Sequence, residues 1–198
     1  MACPSNPPRI VRAANCRTGC HTVKVRVALV ADARTLQAGM NATLHDQLVF
    51  WLNQAGVAYR LVTHPPTPTS ADAARARGEP LGCGAKALVV KADGQFRLLV
   101  IPADRKLDSR LARKSLGLRE LRFATPEELA AAVGLPPGAI PPFGEPLLHL
   151  PLVVDVAVGM RFPQVAFNAA SLTASIIMAA ADWERLAKPE RATLTVAG

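Results

Sequence analysis

AKALVVKADGQFRLLVIP, residues 85–102, reads as two apolar arms around Ala92-Asp93-Gly94. Asp-Gly between hydrophobic runs is a strong short-range signal for a tight β-hairpin turn. Both arms are rich in Val, Leu and Ile, which fit a pleated surface buried among neighbours. The hairpin is therefore expected near the centre of a sheet, and the rest of the chain is expected to wrap around it.

Upstream, Thr43 and Asp46 have the spacing of a capping box, and Leu44, Leu48, Trp51 and Leu52 share one helical face that Gly56 ends. VAYRLV then alternates as a strand, HPPTPTS turns, and SADAARARG forms a short helix opened by Thr69 or Ser70 and ended by Gly78. Downstream, RKLDSRLARKSLG predicts an amphipathic helix carrying Leu107 and Leu111, with Arg105, Lys106, Arg110, Arg113 and Lys114 on its basic outer side. A short strand at LRFA leads to TPEELAAAVG, where Thr125 caps, Pro126 starts the helix, Glu128 completes the box and Gly134 stops it. LPLVVDVAV, QVAFNAA and LTASIIMA read as strands, and AADWERLA as a closing helix. Hairpins mixed with helices predict an α+β domain around a mixed or antiparallel sheet.

With 198 residues, half of them hydrophobic, the chain has material for one domain with a substantial core and does not have a disordered composition. No apolar run reaches the roughly 18 residues of a membrane span; the best, LLHLPLVVDVAVGM, is interrupted by Pro151 and Asp155. The start carries no apolar signal-peptide centre, so a soluble, cytoplasmic protein with reduced thiols is expected. Of the formal net charge of +8, residues 1–39 supply +5, through Arg9, Arg12, Arg17, Lys24, Arg26 and Arg34 against Asp32. We read residues 1–39 as a basic, mobile N-terminal extension and residues 40–198 as the ordered domain. CRTGCH spaces Cys16 and Cys20 one residue too widely for a haem-attachment motif, and a Cys16/Cys20/His21 metal cluster would lack a second pair of ligands.

PPGAIPPFGEP, residues 136–146, holds five prolines and two glycines in eleven positions. It cannot be helix or inner strand, yet Ile140 and Phe143 are wasted in a solvated linker. A stiff loop with glycines is suited to bringing bare backbone close to a ligand at fixed geometry. The alternative is a rigid connector between helix and strand.

Taken in order, HPPTPTSADAARARG, GAKALVVK, LLVIPADRKLD, RFATPEEL and PGAIPPFG resemble the YbaK family, the prolyl-tRNA-synthetase-associated aminoacyl-tRNA editing domains, from about Met40 to Leu186. The resemblance implies a compact α+β domain with a central, mixed, partly barrel-like sheet flanked by helices. It also implies hydrolytic removal of wrong amino acids from tRNA, acting in trans, without metal or cofactor. It places the family's lysine on Lys86, its Gly-x-x-x-Pro loop on Gly138 to Pro142, its Phe-Gly on Phe143 and Gly144, and its strand aspartate on Asp155. Where the family often reads Asn-Ala-Gly and then Thr-His-Ser, this chain has Asn168-Ala169-Ala170 and Thr173-Ala174-Ser175.

The resemblance makes Lys86 and Gly138 the expected catalytic positions. Ala139, Ile140, Pro142, Phe143, Gly144, Asp155 and Ser175 are the expected substrate contacts. Each has a plainer reading. Lys86 in an apolar run needs an anionic partner, such as a terminal phosphate or an oxyanion, or else sits at a strand edge and reaches water. Asp155 is either a pocket residue or a buried structural carboxylate. Ser175 touches substrate or is polar filler. His64 is a turn residue, or forms a nucleophile dyad with Cys83. The basic residues 105–114 track tRNA phosphates or form a solvated face.

The expected function is therefore a trans-editing deacylase for a small or medium amino acid, such as alanine or cysteine on the proline tRNA. Its partners are the aminoacyl-tRNA acceptor end and an aminoacyl-tRNA synthetase. Editing is needed because a binding pocket separates side chains differing by one methylene only about 10- to 200-fold. Ala170 and Ala174 motivate a rival reading, a non-hydrolytic module that binds aminoacyl-tRNA or a synthetase. A general nucleic-acid binder is disfavoured by the few aromatics available to stack bases.

Overall fold

The computed structural model describes residues 23–26, 42–67 and 69–196. The hairpin forms as expected. Strand β3 (Ala85–Ala92) pairs antiparallel with β4 (Gln95–Pro102), and Ala92 faces Gln95 across the turn. Asp93 and Gly94 both take positive φ, at 46° and 84°, as a two-residue hairpin turn requires. The Asp93 carboxylate accepts the backbone N–H groups of Arg119 and Glu120, which tie the turn to the next segment.

Around this hairpin a five-stranded sheet runs in the order β5 (Leu121–Phe123), β3, β4, β6 (Leu152–Asp155), β9 (Glu190–Ala192). It is mixed: β3 pairs antiparallel with β4 and β5, while β4–β6 and β6–β9 are parallel. A second sheet, antiparallel throughout, runs β1 (Val23–Arg26), β2 (Tyr59–Thr63), β8 (Ala174–Ala179), β7 (Gln164–Asn168). The expected central sheet is thus two sheets, which a parallel bridge between Gly84 and Ala166 joins without closing a barrel. Within the N-terminal extension, Val23–Arg26 pairs with β2. The remainder of residues 1–39, with the Cys16/Cys20/His21 motif and the expected mobility, lies outside the described residues.

The helices follow their caps. In α1 (Leu44–Gln54) and α4 (Pro126–Val133) the boxes at Thr43/Asp46 and Thr125/Glu128 are both formed. In α2 (Ser70–Arg77) the cap is Thr69, whose side chain accepts the Asp72 N–H. Helix α3 (Ser109–Leu116) starts four residues later than the basic-helix reading predicts, because the Asp108 carboxylate accepts from both Arg110 and Leu111 N–H. Residues 105–107 precede the helix, and Leu107 bridges to Thr195. Helix α5 is Ala180–Ala187. None of the described helices is long and apolar enough to cross a membrane.

Pleating divides the hairpin between two cores. Val89, Leu98 and Val100 enter the main core with Phe143, Phe167, Ile176, Met178 and Trp183. Val90, Leu99 and Ile101 face the other way, onto Ala112 of α3 and Leu194.

Candidate functional site

The two sheets meet at the Gly84–Ala166 bridge. A Cβ on Gly84 would stand 2.7 Å from the Ala103 Cβ and 3.1 Å from the Leu81 carbonyl oxygen, so a side chain there would crowd the segments just before β3 and just after β4. Beside the bridge lies a cleft of about 500 Å³. Lys86 and Leu88 of β3 form one wall, Phe167 and Asn168 of β7 another. Pro137, Gly138 and Ile140 of the proline-rich loop close it, and Arg77 of α2 also lines it.

The sequence is folded locally to keep this loop rigid. Its back half is held in the core: Phe143 is fully buried, edge-on to Trp51 and to Phe167 with ring centroids 5.0 and 5.4 Å away. Burying such a ring contributes roughly 1.5–3 kcal/mol. Trp183 Nε1 donates to the Pro142 carbonyl at 3.1 Å. Gly144 is packed so closely that a Cβ would lie 2.4 Å from Leu150 O. The front half meets the cleft. Gly138 has φ of 86° and its carbonyl accepts a hydrogen bond from Asn168 Nδ2 at 2.7 Å. Ala139 N–H is occupied by Pro136 O at 3.1 Å, whereas the N–H groups of Gly138 and Ile140 bond to no described residue.

A relay of side chains stands behind that clamp. Ser175 Oγ donates to Asn168 Oδ1 at 3.0 Å and lies 2.8 Å from His64 Nε2. His64 Nδ1 lies 2.8 Å from the Pro65 carbonyl oxygen, which only accepts, so Nδ1 carries a proton. When His64 is neutral, the Ser175 hydroxyl proton is shared between two acceptors. Asn168 was not singled out as a site residue from sequence, and His64 was weighed only as a turn residue or as a partner of Cys83. The signal for His64 was its phase with buried Val62 at the end of β2: both lie on the inner side, and His64 is only 4 % exposed.

The expected site residues divide accordingly. Lys86, Gly138 and Ile140 come together on the cleft. Lys86 is exposed and ion-pairs with no described residue, so the burial cost argued from its apolar run does not arise. Ala139, Pro142, Phe143 and Gly144 are buried behind the cleft and act as the loop's anchor rather than its face. Ser175 is fully buried and touches the cleft only through Asn168. Asp155 is also fully buried: it accepts from Ala157 N–H, Leu194 N–H, Thr195 N–H and Thr195 Oγ1, and so fastens the C-terminal segment. Burial with four protein donors, three of them on Oδ2, is the geometry of a structural carboxylate.

The dyad of His64 with Cys83 does not form, since His64 is engaged with Ser175 and Pro65. Burial pushes the Cys83 thiol up, away from the thiolate form a nucleophile needs. Among the described residues no group of three or more His, Cys, Asp or Glu side chains gathers to hold a metal ion. None of the basic residues 105–114 lines the cleft.

Comparison with known proteins agrees with this architecture. Residues 64–186 match the aminoacyl-tRNA editing domain. The multifunctional Ser/Thr-tRNA deacylase ProXp-y of Escherichia coli K12 is 40 % identical over 153 residues, spanning 74 % of this chain and 89 % of that protein. The proline–tRNA ligase of Acidithiobacillus ferrooxidans is 34 % identical over 117 residues, which are 59 % of this chain but 20 % of the ligase. A crystal structure described as a candidate trans-editing enzyme for prolyl tRNA synthetase superposes with a TM-score of 0.68 at 25 % identity, covering 79 % of this chain and 99 % of that one. With its match over residues 64–186 and a relative 40 % identical along 89 % of that protein, the chain belongs to the aminoacyl-tRNA editing domain family.

Proposed function

We propose that this chain is a deacylase that hydrolyses the ester between a wrong amino acid and the terminal ribose of tRNA, acting in trans. The observation that carries the reading is the cleft, whose lining includes both Lys86 and the Gly138 and Ile140 positions of the proline-rich loop. In this reading water adds to the ester carbonyl and the carbon–oxygen bond to the ribose breaks. The ribose oxygen leaves with one of the water's protons, the other passes to solvent, and the amino acid departs as its carboxylate. The N–H groups of Gly138 and Ile140, which bond to no described residue, are the donors this reading assigns to the oxyanion, and a preorganised donor of this kind contributes about 10²- to 10³-fold in rate. Lys86 supplies positive charge to the same ester or to the adjoining phosphate.

The Ile140 and Phe167 walls of the cleft suit an uncharged amino-acid side chain. The ProXp-y relative makes serine and threonine esters the first to test, with alanine and cysteine on the proline tRNA beside them. The tRNA is held by its acceptor end, and the likeness to proline–tRNA ligases makes a synthetase a second partner. Such a substrate places the protein in the cytoplasm, with residues 40–198 as the deacylase unit and residues 1–39 as a basic extension.

The test is release of free amino acid from a panel of mischarged tRNAs. Turnover of at least one small ester supports the deacylase. Tight binding with no release from any member would instead support a binding module, the reading that Ala174 in place of the family's histidine motivates.

A further inference from the structure

Arg77 ends α2 with its side chain facing the cleft, yet the residue is only 7 % exposed. Its Nε donates to Ala73 O at 2.9 Å, and no described residue accepts from the other guanidinium donors. No described carboxylate lies within ion-pair distance. Glu79, two residues on, is paired with Arg60 and acts on Arg77 only from beyond ion-pair distance. Cys83 is buried and kept protonated, so it provides no countercharge. A charge taken out of water costs several kcal/mol unless an opposite charge compensates it. Guanidinium is moreover the side chain whose planar fork suits phosphate. The cleft that Arg77 lines also holds Lys86 and the Gly138 loop, so one cavity contains two cations and not one described anion.

We propose that Arg77 is a phosphate subsite: it binds the phosphodiester that joins the terminal adenosine to the preceding nucleotide, leaving Lys86 to the ester. This rests on the deacylase reading and assigns a second cation to the same cleft. Phosphate contacts position a nucleic acid without reading sequence, so Arg77 sets where the ester lies and leaves the choice of amino acid to the other walls.

The experiment compares wild type, Arg77→Gln and Arg77→Lys on three substrates bearing the same amino acid: aminoacyl-tRNA, 3′-O-aminoacyl-adenosine 5′-phosphate and 3′-O-aminoacyl-adenosine. Charge-assisted hydrogen bonds of this kind predict that Arg77→Gln loses about 10- to 100-fold in kcat/KM on the two phosphate-bearing esters, mostly in KM. On aminoacyl-adenosine it stays within twofold of wild type, and Arg77→Lys recovers part of the loss. An equal loss on all three esters would make Arg77 a structural residue and overturn the proposal, as would full activity of Arg77→Gln on aminoacyl-tRNA. If wild type hydrolyses none of them, the deacylase reading fails. The subsite is then judged by fluorescence anisotropy of an uncharged CCA-ended oligonucleotide, where affinity unchanged by Arg77→Gln overturns it and affinity lost with that variant supports it.

Discussion

Asn168→Asp isolates the clamp on the loop. The replacement is nearly isosteric and keeps an acceptor for Ser175 Oγ, 3.0 Å away in the wild type. It removes the Nδ2 donor that reaches Gly138 O at 2.7 Å and sets a carboxylate oxygen against that carbonyl instead. A net hydrogen bond contributes about 0.5–1.5 kcal/mol, and leaving a partner unsatisfied costs about 1–3 kcal/mol. Phe143 and Trp183 still hold the back half of the loop, so the change falls on Gly138 rather than on the fold. If the 1–2 kcal/mol appears in the transition state, kcat drops about 5- to 30-fold. The assay is single-turnover deacylation beside a thermal melt. Wild-type kcat in a variant whose melting temperature has fallen would show that the clamp serves stability only. Wild-type behaviour in both measurements would refute the clamp altogether.

Three further outcomes follow from particular residues. Ala170 has φ of 53°, where a non-glycine residue costs roughly 1–2 kcal/mol, so Ala170→Gly should raise stability in urea by about 1 kcal/mol after the entropy glycine adds to the unfolded chain. Asp155→Asn should cost about 1–3 kcal/mol, because an amide must point at a backbone N–H on one side or the other; kcat per folded molecule should stay unchanged, and a specific loss of kcat would return Asp155 to the pocket. Glu128 is held well below the usual carboxylate range by Arg122, then by the Thr125 backbone N–H, with Lys91 adding to this. A depressed folded value means its contribution is complete above the unfolded value near pH 4 and is lost as pH falls through the folded value. Glu128→Gln should therefore flatten the acid limb of a melting-temperature profile and leave its neutral limb parallel to wild type.

Much of this molecule is local and could be read along the chain. Caps at Thr43, Thr69 and Thr125 and the Asp93-Gly94 turn depend on residues within a few positions, and each lies where its chemistry puts it. Division into two sheets was not legible, because it turns on one bridge between Gly84 and Ala166, far apart in sequence. Strand β9 was missed for a similar reason: three residues held by parallel pairing to β6 leave no pattern of their own. At the site, Lys86, Gly138 and Ser175 were reached through family likeness, whereas the linkage of Ser175 to His64 and of Asn168 to Gly138 was not, since those partners are distant in the chain. Arg77 did carry a signal. It shares the buried side of α2 with Ala73 and Ala74, an arginine at a position where the helix otherwise buries small apolar residues.

Lys86 carries the heaviest weight in this account, so the most direct measurement is the single-turnover rate of seryl-, threonyl-, alanyl- and cysteinyl-tRNA hydrolysis by wild type and by Lys86→Ala. The side chain is exposed and makes no ion pair with a described residue, so its removal should leave the melting temperature within about 1 °C, as for most surface substitutions. The account predicts release of amino acid from at least one ester by wild type and a loss of at least about 100-fold in the variant. Near-normal hydrolysis by Lys86→Ala would contradict it.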